Sequence, residues 1–163
     1  MIIRHGGYVY DVANNSEING LTLGGVGSGT TINHIEVYAN ADDGIEFFGG
    51  SVNTSHMVMA FNQDDSFDID EGYNGTNQFW FAVQTPFAED GVASGHDNGG
   101  EFDGTTGTIV DSVNNSTPVI YNATFIGSGT TALAGNDKGN NAMFIDDRFR
   151  GLIYNSVFDD FSR

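Results

Sequence analysis

The sequence has no cysteine, and only five of its 163 residues are lysine or arginine, against 22 aspartate or glutamate. Without cysteine there is neither a disulfide framework nor a thiolate metal site. A formal charge of −17 with no compensating basic patch repels nucleic acid and anionic lipid, which removes both as partners. Hydrophobic runs are too short to span a bilayer, so membrane insertion is not expected. The start, Met1-Ile2-Ile3-Arg4-His5-Gly6-Gly7, is expected to be the middle of a strand and not a signal peptide, since it shows no charged leader followed by an apolar segment and a cleavage site. The expectation is one domain over residues 1–163, cut from a longer exported protein.

What is present is glycine, 23 residues of it, with abundant Asn, Asp, Ser and Thr between short alternating apolar runs that never keep a helical period. An internal repeat organises these runs. Asp42-Asp43-Gly44-Ile45-Glu46-Phe47-Phe48 recurs as Asp64-Asp65-Ser66-Phe67-Asp68-Ile69-Asp70, and the same shift of 22 carries His34 onto His56 and Asn40 onto Asn62. Later, Val119-Ile120-Tyr121-Asn122 recurs 33 residues on as Leu152-Ile153-Tyr154-Asn155, one rung plus a loop. Units that cannot bury their own apolar face must stack. The fold class is therefore all-β, a right-handed parallel β-helix of about six coils of roughly 22 residues with loop insertions. Alternation places Ile35 and Val37 over Met57 and Met59 inside, and extending the shift of 22 puts Phe79 and Phe81 next in those stacks. Trp80 would then face outward, in one column with Glu36 and Val58, while His34, His56 and Gln78 form another. Phe48, Tyr73 and Tyr38 are further candidates for the outer surface. Between the third unit's strands, Thr85 to Gly100 forms an inserted loop.

Ile18-Asn19-Gly20-Leu21-Thr22-Leu23-Gly24-Gly25-Val26-Gly27-Ser28-Gly29-Thr30, followed by the two acidic repeats, resembles secreted or cell-surface bacterial proteins that carry a right-handed parallel β-helix of the pectate-lyase-like kind. The resemblance covers residues 1 to 84 well and the rest loosely, through the Ile-Tyr-Asn strands. It implies the β-helix fold and an extracellular or bacterial cell-surface location, in chains mostly without an assigned activity. It implies no catalytic residues. The glycine-rich turn lacks the lysine and following helix of a phosphate loop and reads as a solenoid corner.

Coils of a parallel β-helix lie about 4.8 Å apart, so equivalent outward acids on successive coils crowd one another. Two unit charges about 5 Å apart repel by about 3 kcal/mol at an effective dielectric of 20. The candidate metal ligands are Asp42, Asp43, Glu46, Asp64, Asp65 and Asp68, and the candidate ion is calcium, which takes six to eight oxygen ligands. Turn-making by the same Asp and Asn residues is the competing reading. His34 above His56 suggests a shared zinc ion, but no third ligand follows, which favours a plain polar stack. If the acids are catalytic instead, Asp64, Asp65 and Asp68 are the candidates, with Asp70 beside them and His56 or His96 in support; the chain would then be a polysaccharide hydrolase or lyase. Trp80 beside the carboxylates suits carbohydrate binding. The reading preferred here is a structural or adhesive segment, acidic and calcium-binding, that contacts polysaccharide or associates with a neighbouring copy through exposed coil ends.

Overall fold

The computed structural model describes residues 1–8, 10–11, 18–85, 97–106, 114–129 and 141–162. Among these residues, thirteen strands, all paired in parallel, wind into a right-handed β-helix. One sheet contains β1 (Ile2–Arg4), β3 (Thr31–Tyr38), β5 (Asn53–Ala60) and β7 (Thr76–Val83), then the broken rungs β9 (Val119–Tyr121) with β10 (Thr124–Ile126) and β12 (Leu152–Tyr154) with β13 (Val157–Asp159). Counted along this sheet, the described residues make six rungs. The second sheet is made of β2 (Leu21–Gly24), β4 (Ile45–Phe48), β6 (Phe67–Ile69), β8 (Gly100–Asp103) and β11 (Phe144–Asp146).

The strands form because apolar residues alternate with polar ones, and their inward members close a single core between the sheets. Val37, Met57, Met59, Ile45, Phe47, Phe67 and Ile69 are fully buried in it. The expected stacks Ile35 on Met57, Val37 on Met59, Ile45 on Phe67 and Phe47 on Ile69 all occur, as does the shift of 33 that pairs Leu152 with Val119. The long strands bend midway at one residue of left-handed conformation, His34 (φ 52°), His56 (53°) and Phe79 (58°), and the broken rungs bend at Asn122 (58°) and Asn155 (46°). This column of bends turns one sheet around the core, at a cost that non-glycine residues pay at every rung.

The third unit departs from the expected register. Met57 pairs with Trp80, Val58 with Phe81 and Met59 with Ala82, a shift of 23. An extra residue enters at Glu71-Gly72, since Phe47 still pairs with Ile69 while Gly50 already bridges Tyr73. Because side chains alternate with period two, this single residue exchanges the faces. Phe79 and Phe81 are outside, at 42% and 37% exposure, and Trp80 is inside at 1%. Tyr73 is likewise buried, stacked on Phe47 at 4.3 Å. Trp80 lies flat on Phe67, with ring centres 4.2 Å apart, and its indole donates to Thr54 Oγ1 at 2.7 Å. It therefore offers no outer face to a sugar. The outward ring column is His34, His56, Phe79, with Phe79 in the place expected for Gln78.

Candidate metal centre

The acids collect where the chain turns into the second sheet and along that sheet's outer face. Pairing of Ile45 with Phe67, and of Asp68 with Glu101, fixes three columns. On the strands, Glu46, Asp68 and Glu101 follow one another outward. In the corner, Asp43, Asp65 and Asn98 form a buried column whose side chains cap the next coil. Asp43 Oδ1 accepts the Asp65 amide at 3.1 Å, Asp65 Oδ1 accepts the Asn98 amide at 2.6 Å, and Asn98 Oδ1 accepts Asn141 Nδ2 at 2.8 Å. Beside it, Asp42, Asp64 and Asp97 line the same corner, Asp42 and Asp97 nearly buried.

These columns bring three triads of carboxylate oxygens within 4.8 Å: Asp42, Asp43 and Asp64; Asp43, Glu46 and Asp68; Asp64, Asp65 and Asp97. Oxygens bound to one calcium ion at 2.3–2.6 Å can be at most about 5 Å apart, so each triad is compact enough to share an ion. All six residues proposed as ligands from the sequence fall in these groups, and Asp43 belongs to two of them. Asp97 was not foreseen. It follows Asp64 by 33 residues, the spacing of Glu101 after Asp68, and comparison at that shift would have found it.

No lysine or arginine occurs between Arg4 and Lys138, so the central coils hold no cation of their own. Arg4 lies on the first sheet, 2.8 Å from Glu36. The acids respond by holding protons. Burial, then the charges of Asp64, Asp42 and Glu46, raises Asp43 to about 9. Burial, then Asp43, Glu46, Glu101 and Asp70, raises Asp68 to about 10. Burial also raises Asp65 well above the ordinary carboxylate range, and raises Glu46 and Asp70. Asp103, on the neighbouring outward column, is lifted to about 6 by burial and then by Glu101. Glu46 is hydrogen-bonded to Asp68, and Asp65 to Glu101. Two carboxyl groups make such a contact only with a proton between them. A divalent cation would replace these protons with a charge that all the oxygens could share.

Other residues weighed from the sequence lie elsewhere. Asn40 donates to the Ile18 and Asp43 carbonyls, and its amide donates to Asn62 Oδ1, an asparagine ladder that ties coils together. His56 is on the first sheet, stacked on His34 at 4.4 Å and tilted against Phe79 at 4.8 Å, and does not join Asp64, Asp65 and Asp68. The His34 and His56 rings, 6° from parallel, make a stack. His96 and most of the Thr85 to Gly100 insertion fall outside the described residues. Asn19 Nδ2 donates to Glu46 Oε2, closing one end of the strand column.

Fold and site together define an acidic parallel β-helix with carboxylates clustered along one sheet and its corner. The chain belongs to the Pectate-lyase like beta helix domain family, whose model matches residues 3–163. No curated protein and no solved structure matches it. Among the described residues, no helix is long and apolar enough to cross a membrane.

Proposed function

We propose that this chain is a structural or adhesive β-helix segment, displayed outside the cell or at the bacterial cell surface, whose acid clusters bind calcium. The observation that carries the reading is Asp43, buried and shared by two carboxylate triads in a region without Lys or Arg. A column of acids that repels itself between coils becomes a clamp once a cation sits in it. The donor set is all oxygen, which suits a hard cation. Such a segment would meet polysaccharide or a neighbouring copy of itself while calcium keeps the coils in register.

Thermal unfolding with excess calcium and with a chelator tests this. A hundredfold excess over Kd stabilises the native state by about 2.7 kcal/mol, which for a chain of this size raises the midpoint by about 5 to 10 °C. An unchanged midpoint would sink the calcium reading. A second reading, a polysaccharide hydrolase or lyase, draws support from Asp68, a carboxyl kept protonated between Glu46 and Glu101 as a general acid must be. It requires polysaccharide cleavage that Asp68→Asn abolishes.

A further inference from the structure

The first sheet carries, on the outer side of its first half, a groove of about 410 Å³ that the acid clusters do not touch. It crosses four rungs. Strand pairing sets Asn33, Ser55, Gln78 and Tyr121 in one outward column, and Thr31 beside Asn53 in the next, where Thr76 also lines the groove. Ser28, from the glycine-rich turn, stands at one side, its amide bound to Ser51 Oγ at 3.1 Å. In a chain of charge −17, no residue lining this groove is charged. Nearly all bear a hydroxyl or an amide.

The floor is rigid. Thr54 lines the groove and is almost wholly buried. Its hydroxyl donates to Asn77 Oδ1 at 2.8 Å and accepts from the Trp80 indole at 2.7 Å, and Asn77 Oδ1 also accepts the Tyr73 hydroxyl at 2.7 Å. A buried, satisfied network of this kind fixes the backbone beneath the groove. Above it, Asn53 uses its Oδ1 to accept the Thr76 amide at 2.8 Å, which leaves its NH₂ pointing out of that bond. The Gln78 amide and the Ser55 hydroxyl have no partner among the described residues.

We propose that this groove binds a neutral oligosaccharide, which deepens the polysaccharide contact suggested above and rests on that part of the reading, not on calcium. Each sugar hydroxyl is both donor and acceptor, matching a surface of amides and hydroxyls, and the Tyr121 ring offers an apolar face for sugar C–H groups. The surrounding negative field disfavours an anionic glycan. A peptide would want apolar pockets, and Ile32 is the single aliphatic side chain in the lining.

The test is titration with hexasaccharides of β-1,4-linked glucose, xylose and mannose, with hexagalacturonate as the acidic control. It is followed by calorimetry and by the fluorescence of Trp80, the one tryptophan, which is bonded to the groove floor. At least one neutral probe should bind, change Trp80 emission, and bind about tenfold more weakly to Gln78→Ala, which loses one or two hydrogen bonds, and to Tyr121→Ala, which loses the ring contact. Both groove variants should keep the parent's unfolding midpoint and its response to calcium. The proposal fails if no neutral probe binds, if binding survives the paired Gln78→Ala and Tyr121→Ala changes, or if hexagalacturonate binds more tightly and loses its affinity in Asp68→Asn. A calcium response without sugar binding would overturn the groove alone, and sugar binding without a calcium response would overturn the metal reading alone.

Discussion

Asp43 has two tasks that pull against each other. Its Oδ1 accepts the Asp65 amide, which any oxygen could do, while its charge faces Asp64, Asp42 and Glu46. Asparagine keeps the acceptor and removes the charge. Asp43→Asn should therefore leave the metal-free fold at least as stable as the parent near neutral pH, because no buried carboxyl has to hold a proton there. It should also abolish most of the calcium-dependent rise in unfolding midpoint, since two of the three triads lose a ligand. Asp43→Ala provides the contrast: it leaves the Asp65 amide without its partner, at a cost of about 1–3 kcal/mol, with or without calcium. Calcium titrations of both variants followed by circular dichroism separate the two tasks. A full calcium response in Asp43→Asn would show that the ion, if bound, is held elsewhere.

At the scale of the element, the decisive feature is one residue in the corner before β7. From β3 to β6 the repeat of 22 in the sequence describes the pairing, whereas β2 pairs with β4 at a shift of 24, and the acidic corner can be read from that repeat, because Asp42-Asp43 and Asp64-Asp65 keep both spacing and residue type. The extra residue at Glu71-Gly72 could not be read the same way. Phe79 and Phe81 form as plausible an inward alternation of β7 as Trp80 and Ala82, and the choice is made by the core, where a flat gap between Phe67 and Phe47 accepts the indole. Tertiary packing thus overrode local alternation. Gly72 (φ 87°) supplies the left-handed turn that the insertion needs. Trp80→Ala should cost about 3–5 kcal/mol in urea unfolding, as for a large buried aromatic. Phe79→Asn, outward and at a left-handed position that Asn122 and Asn155 fill on the following rungs, should stay within about 0.5 kcal/mol of the parent or gain stability. Equal losses from the two changes would contradict the observed register.

For the whole molecule, stacked coils convert a local charge problem into a pH dependence of the entire fold. Asp43 and Asp68 hold protons in the native state up to about pH 9 and about pH 10, whereas in the unfolded chain they release them near their ordinary value of about 3.9. Between those limits the native state binds more protons than the unfolded state, so their contribution is complete below about pH 4 and is lost as pH rises through the folded values. Each proton fully retained on folding lowers stability by about 1.4 kcal/mol per pH unit. Metal-free protein should therefore unfold at a lower temperature at about pH 8 than at about pH 5, opposite to the trend for carboxylates held in salt bridges. Calcium competes with these same protons and binds more tightly as they leave, so its stabilisation should be small at about pH 5 and largest at about pH 8, flattening or reversing the slope. Unfolding midpoints across that range, with chelator and with millimolar calcium, check both slopes. Parallel lines would mean that the acids which hold the protons are not the ones that bind the ion.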